Sequence, residues 1–572
     1  MKISPEGRHR HDRRLRFISF VVLVAAVAAR LSYLIASPDR AWPHSVAYEG
    51  DAPLWARFAD ALLIGQPFEF DLPVHPPGVA YLLSWLPNHE SHGYFLAAKV
   101  IWCLLGALSC ALTIVAARPH FGLRVAALAG LLSAASFGLI VQSTSLNNET
   151  PYTLLLLITI IVTNSILTAP SVAKAVLWGL CNGFAVLLRP EHTLLVVLLL
   201  GFLALRRRSI KPDPQSAGAH PRRIAIPLAV AVVCFFLVPL PWSIRSARAL
   251  LRFNTVEAQP IDYARSEVPW TMDAADFLRA LPAFAREGNW RYITYLAQQK
   301  RLAHVDREFV QSFFSDAGYI PKPISPFVFV SNQGPLCFAL ANNEHADGGF
   351  STALLGTSGP SVLAFGSPWH LRLYQEGYAV GMRYLLDHPR DAVELFYKKL
   401  LFFAEGASQG FTVWNFPLGV EGIRRPVDQL TAPITNHKIW ATFILTFVAA
   451  GIALALRRRI TSFWLTIIAY KLIIAIAFFG YARQAVSILP VFYVFAAVAL
   501  DAVLLSPLAK RWPILVDRWR LILVLTSAGV FATAARTSFL SWKYEISGPA
   551  DSAPQWGPGA FESHQALNIR RL

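Results

Sequence analysis

Long apolar stretches separated by short polar segments, many of them basic, dominate the chain. A membrane-crossing helix needs about 20 predominantly apolar residues. Runs of that character lie near 17–36, 94–117, 125–141, 151–168, 172–188, 191–205, 223–242, 438–456, 460–479, 486–505 and 520–537. The runs 172–188 and 191–205 are separated only by Arg189-Pro190-Glu191. The proline breaks a helix and the charged pair resists the bilayer centre, so two helices are expected there. The pattern predicts a mainly α protein, a polytopic transmembrane helical bundle of about 11 spans with a smaller extracytoplasmic domain.

Charge gives the orientation. Of 572 residues 55% are hydrophobic and only 15% charged, with a net charge of +17. With the N-terminus inside, the inner segments 1–16, 118–124, 169–174, 206–223, 457–459 and 506–520 hold 22 Lys and Arg, and the short outer segments 37–93, 142–150, 189–190 and 481–485 hold 4. This is the positive-inside asymmetry, so the basic balance reports topology and no nucleic-acid partner is expected. The expected organisation is a basic cytoplasmic N-terminus (1–16), a transmembrane bundle (17–242) with a first outer loop at 37–93, an extracytoplasmic region (243–437), C-terminal transmembrane helices (438–537) and an outer tail (538–572). This describes a multi-pass protein of the inner (plasma) membrane. Four of the five cysteines lie in apolar runs, leaving Cys337 alone in a water-facing segment, which offers neither a disulfide framework nor metal-ligand spacing.

Within 243–437 the pattern predicts helices over 290–314, 371–386 and 389–404, the last two broken at Asp387-His388-Pro389, with loop over 321–368. The run 393–404 is apolar enough to suggest a span, but Lys398 and Lys399 make it an amphipathic helix lying at the interface.

The first outer loop carries the candidate chemistry. Asp51 precedes Pro53, the place of a helix-capping carboxylate, and Leu54, Trp55, Phe58, Leu62 and Leu63 form an apolar face directed at the membrane. Beside the capping role stands a functional one, a carboxylate held at the membrane surface to accept a proton. His75-Pro76-Pro77-Gly78 then turns the chain back, and His75 alone reads as structural. Arg189, Arg245 and Arg483 sit at outer ends of spans. Snorkelling, or pairing with Glu149 or Glu191, would explain any one of them. Three at one membrane level suit a phosphate.

Asp51, Trp55, Ala59, Leu63 and Gly65 in the first loop, followed in order by Pro76-Pro77-Gly78-Val-Ala-Tyr81, Arg189-Pro190, Pro241-Trp242-Ser-Ile-Arg245, Asn342-Asn343 with Gly348, His388-Pro389 with Lys399, and Arg483 ahead of Leu489-Pro490, resemble the GT-C membrane glycosyltransferases. Within them the chain is most similar to the bacterial relatives of protein O-mannosyltransferases and of the aminoarabinose transferase acting on lipid A. The resemblance covers roughly residues 17–505. It implies a GT-C-like bundle and an enzyme moving a hexose or pentose from a polyprenyl-phosphate donor to a hydroxyl of an acceptor lipid, glycan or protein. Transfer would occur on the extracytoplasmic face of the lipid bilayer, with inversion. Asp51 would be the general base, and Arg189, Arg483 and Arg245 would bind the donor phosphate. Glu49, Trp55, His75, Glu149, Glu191, Asn342 and Asn343 would line the substrate region. The chain departs from the family pattern at Ala52, where a second acidic residue is usual, and at Trp55, where a tyrosine is. No cofactor is implied outright; the missing carboxylate, for which Glu49 is a loose substitute, leaves a divalent metal and the acceptor class open.

Two other readings compete. A transporter or lipid flippase would share the spans, but such proteins keep ionisable groups near the midplane, and here the spans are nearly charge-free apart from their ends, with Lys471 and Asp501 among the exceptions. A non-catalytic GT-C-like scaffold is the third.

Overall fold

The computed structural model describes residues 5–36, 52–63, 73–86, 92–209, 222–255, 325–358, 368–409, 437–456, 460–480 and 482–502. Among them no strand occurs. The first half comprises α1 (Pro5–Ala36), α2 (Ala52–Leu63), α3 (Gly78–Leu83), α4 (His92–Phe121), α5 (Leu123–Ala135), α6 (Phe137–Gln142), α7 (Glu149–Thr168), α8 (Val172–Leu188), α9 (His192–Ser209), α10 (Arg222–Leu237) and α11 (Leu240–Thr255). The second half comprises α12 (Gln333–Ala341), α13 (Pro368–Asp387), α14 (Pro389–Gln409), α15 (His437–Ala455), α16 (Thr461–Ala477), α17 (Ala482–Val486) and α18 (Leu489–Leu500). The chain is a mainly α, multi-pass membrane protein.

Among the described residues, four segments, Arg13–Ile35, Phe95–Phe121, Glu149–Thr168 and Ala225–Arg248, are long and apolar enough to cross a bilayer. Shorter apolar helices occupy 123–135, 172–188, 192–205, 445–455, 461–477 and 489–500. The apolar run 520–537, the helix expected over 290–314 and the tail 538–572 lie outside the described residues.

Local chemistry sets the breaks. α4 turns into α5 at Gly122, whose φ of 89° is open to glycine and strained for other residues. The run expected as one span over 125–141 is divided at Ser136, whose hydroxyl accepts from the Leu139 amide at 3.4 Å and so starts a new helix. Arg189-Pro190 separates α8 from α9 as the sequence predicts. Gly179 and Gly183 lie one turn apart on α8 and let α10 approach so closely that a Cβ on Gly183 would stand 2.6 Å from Val238 Cβ. The core winds through α1, α4, α5, α7, α8, α16 and α18, with Trp102, Trp178 and Trp464 fully buried.

Three expectations change. The segment 321–368 is not all loop, since it holds α12 and a 3-10 turn over Ala353–Thr357. Gly334 and Pro335 lie in the first turn of α12, and Leu336, Ala339 and Leu340 bury against α13. The apolar face of α2 is directed into the protein, because Trp55, Phe58 and Ala59 join the main core while Leu63 is exposed. Of the two lysines that mark α14 as interfacial, only Lys398 faces outward, and Lys399 is fully buried.

Candidate functional site

At one end of the bundle the turn between α6 and α7 is tied down almost atom by atom. Trp102 Nε1 donates to Asn147 O (2.8 Å), Asn147 Nδ2 to Gln142 O (2.6 Å), and the Thr150 amide to Asn147 Oδ1 (3.0 Å). Arg30, fully buried on α1, reaches across to Ser143 Oγ at 3.1 Å. This turn delivers Glu149 to the first residue of α7, where the helix dipole favours a carboxylate. Gln142 Nε2 donates to its Oε2 at 3.0 Å.

Facing Glu149, α8 stops at Leu188 and Arg189 turns inward. Its Nη2 lies 3.1 Å from Glu149 Oε1, its Nε 3.2 Å from Glu191 Oε1, and its Nη1 3.4 Å from Gln484 Oε1. Lys471 Nζ, from α16, lies 3.1 Å from the same Gln484 oxygen and 3.5 Å from Glu191 Oε1. Two cations and two carboxylates therefore cancel in a site from which water is largely excluded. Removing one member would leave a buried charge uncompensated, at a cost of roughly 3–5 kcal/mol. A relay of rings lies beside this box. Asn182 Nδ2 donates to Trp178 O (2.6 Å), which turns Asn182 Oδ1 towards His192 Nε2 at 2.8 Å. His192 Nε2 therefore donates, Nδ1 accepts from the Tyr152 hydroxyl (2.9 Å), and Tyr470 donates to Tyr152 (3.1 Å).

The described residues of the first loop pack beside this end. Trp55 packs edge-on against Phe58 (6.0 Å) and His75 (5.6 Å). Gly78 carries the loop onto the end of α8, where a Cβ would stand 2.6 Å from Leu187 O. A strap at 328–332 runs alongside: the Asn332 amide donates to Pro73 O (2.6 Å), Trp242 Nε1 to Val330 O (2.7 Å) and Ser243 Oγ to Phe329 O. The Arg245 guanidinium lies over the Trp242 ring at 4.8 Å, and Tyr81 packs on the same ring at 6.0 Å. Burial raises the Tyr81 phenol above its ordinary value, with the Arg245 charge opposing.

On the far side Asn342 Oδ1 accepts from Lys399 Nζ at 2.7 Å, and Asn343 bonds back to Ala339 O and Leu340 O. Arg483 is the second residue of α17, next to Gln484. Asp51 and Glu49 lie outside the described residues, with α2 beginning at Ala52. Among the described residues no group of three His, Cys, Asp or Glu is placed to hold a metal ion.

The structure thus joins Arg189, Glu149 and Glu191 directly, pairs Trp55 with His75, and sets Arg245 on Trp242. Sequence reasoning noted Lys471 only as a charge inside an apolar run, and missed Gln484, Tyr152, His192 and Asn182. The available signal was Lys471 itself, since a lysine inside an apolar run requires acceptors from neighbouring helices.

Residues 74–242 match the family model described as dolichyl-phosphate-mannose-protein mannosyltransferase. That span contains His75, Glu149, Arg189, Glu191 and Trp242. Among solved structures the chain is similar to the apo oligosaccharyltransferase of Archaeoglobus fulgidus, with 14% identity and a TM-score of 0.41, covering 90% of this chain and 56% of that one. It is likewise similar to the archaeal oligosaccharyltransferase AglB from Archaeoglobus fulgidus in complex with an inhibitory peptide and a dolichol-phosphate, with 14% identity and a TM-score of 0.38, covering 91% of this chain and 56% of that one. The chain therefore spans little more than half the length of these structures. No curated protein matches it by sequence.

Proposed function

We propose that the chain is a GT-C-like membrane glycosyltransferase, moving a sugar from a polyprenyl-phosphate donor to an acceptor hydroxyl on the extracytoplasmic side of the inner membrane. The observation that carries this reading is the family match over 74–242, whose description names a dolichyl-phosphate sugar and whose span supplies the buried end of the bundle beneath the first loop. The acceptor oxygen attacks the anomeric carbon and the bond to the phosphate breaks. The polyprenyl phosphate leaves with the bonding electrons, and Asp51 takes the hydroxyl proton. A single displacement of this kind inverts the anomeric centre. General-base help of this type is worth typically about 10²–10⁴-fold.

The developing phosphate charge needs fixed cations. Arg483 and Arg245 are assigned to it, because Arg189 already faces two carboxylates and Arg245 rests on an aromatic ring. Arg189 then acts from behind, holding Gln484 and with it α17. His75 and Trp55 shape the loop, Glu149 and Glu191 fix Arg189, and Asn342 and Asn343 shape the acceptor side.

The test supplies membranes containing the protein with radiolabelled polyprenyl-phosphate sugars and, separately, the matching nucleotide sugars. Label transferred to lipid, glycan or protein only from the polyprenyl-phosphate series supports the reading. Transfer from the nucleotide sugars alone, or from neither, overturns it.

A further inference from the structure

The C-terminal carbonyls of α16 have no partners within their own helix, and two side chains from the outer segment supply them. Lys399 Nζ donates to Ile476 O at 3.0 Å, and Asn342 Nδ2 to Ala477 O at 2.9 Å. The two side chains are bonded to each other at 2.7 Å, and Asn342 Nδ2 is also anchored to Phe338 O at 2.8 Å. A lysine nitrogen at a helix C-terminus can satisfy such carbonyls by donating hydrogen bonds to them.

The backbone repeats the connection. The Gly480 amide donates to Gly348 O at 2.9 Å. A Cβ on Gly480 would collide with the backbone of Lys399, and one on Gly348 would stand 2.8 Å from Lys398 Cβ and 2.9 Å from the Lys399 amide nitrogen. Gly348 has a φ of 96°, a conformation that side-chain-bearing residues rarely adopt. Three segments distant in sequence therefore meet main chain to main chain, and two residues beyond Gly480 the chain enters α17, which packs on α14.

We infer that Lys399 and Asn342 are positioning residues, a latch between the outer segment and the corner joining α16 to α17. The latch sets the place of α17 in the site. Its contact with donor phosphate through Arg483 rests on the function proposed above, whereas the latch itself rests on the contacts just given. Lys399 touches neither substrate nor reacting atoms. It acts by holding the helix on which Arg483 and Gln484 stand.

Hydrogen exchange followed by mass spectrometry, on the full chain in lipid nanodiscs, tests the latch. Lys399→Met and Asn342→Leu are expected to speed exchange across 478–486 several-fold, the first more than the second, and to leave 149–168 unchanged. Wild-type protection over 478–486 in both variants would overturn the inference. Asn342→Leu retains the lysine, which keeps the test open if Lys399→Met does not fold. Titration with a polyprenyl phosphate then separates the two readings. Lys399→Met and Arg483→Gln should each bind roughly tenfold more weakly, with the double variant no weaker than Arg483→Gln alone. Fully additive losses would overturn the positioning role. Faster exchange with undiminished binding in Arg483→Gln would leave the latch standing and remove the phosphate assignment instead.

Discussion

Arg189 and Glu149 meet at 3.1 Å with both side chains buried, joining the end of α8 to the start of α7. An ion pair placed there is a poor source of net stability, since desolvation offsets most of the attraction. It also sets register, because Arg189 reaches Glu149, Glu191 and Gln484 together.

Glu149→Gln should therefore destabilise the protein by roughly 3–5 kcal/mol, since it removes a carboxylate and leaves Lys471 and Arg189 to share Glu191. Thermal unfolding in detergent would show this as a lower midpoint. Replacing the pair together, as Glu149→Leu with Arg189→Met, should cost less than the single change. A double variant less stable than the single would contradict the charge-balance argument.

Gly78 touches the backbone of Leu187, and no side-chain movement can clear that space. Gly78→Ala should push the first loop off the end of α8 and lower sugar transfer by about 10²-fold, the scale of an ångström-sized misplacement. Because the change is local, the unfolding midpoint should fall far less than for Glu149→Gln.

Arg245→Gln should lower kcat about tenfold with a smaller effect on the KM for the donor, since its charge is assigned to the phosphate as it develops in the transition state. Donor-concentration series on both proteins would check the split.

Burial pushes the Lys399 ammonium down to about 7. Between that value and the ~10.4 of an exposed lysine, the unfolded chain binds a proton that the folded chain does not. Folding is therefore penalised in full below about pH 7, and stability rises as the pH climbs through that window. Among the described residues nearby, the exposed Glu394 and Lys398 of the same helix pair with each other at 2.8 Å. Unfolding midpoints measured at pH 6.5 and pH 9 should rise for the wild type, with the Lys399 contribution missing in Lys399→Met.

Much of this fold is legible in apolar run length and in proline and glycine position. Arg189-Pro190 marks the α8–α9 break, and Asp387-His388-Pro389 marks that between α13 and α14. Periodicity does not report which neighbour an apolar face meets, so the α2 face reads as directed at the membrane although it is buried under His75. The Gly, Pro and Asn residues flanking α12 conceal a nine-residue helix whose stability comes from packing on α13. Arg189, Glu149 and Glu191 are individually visible as charges at span ends. Their junction with Lys471 and Gln484 depends on contacts nearly 300 positions apart, which no local pattern encodes.

The most direct test compares the wild type with Asp51→Asn for transfer from a panel of radiolabelled polyprenyl-phosphate sugars in membranes, with expression and insertion measured in the same preparation. The account predicts transfer by the wild type and its loss, by about 10²-fold or more, in a normally inserted variant. Undiminished transfer by Asp51→Asn would contradict it and move the proton acceptor elsewhere, with Glu49 the next residue to replace.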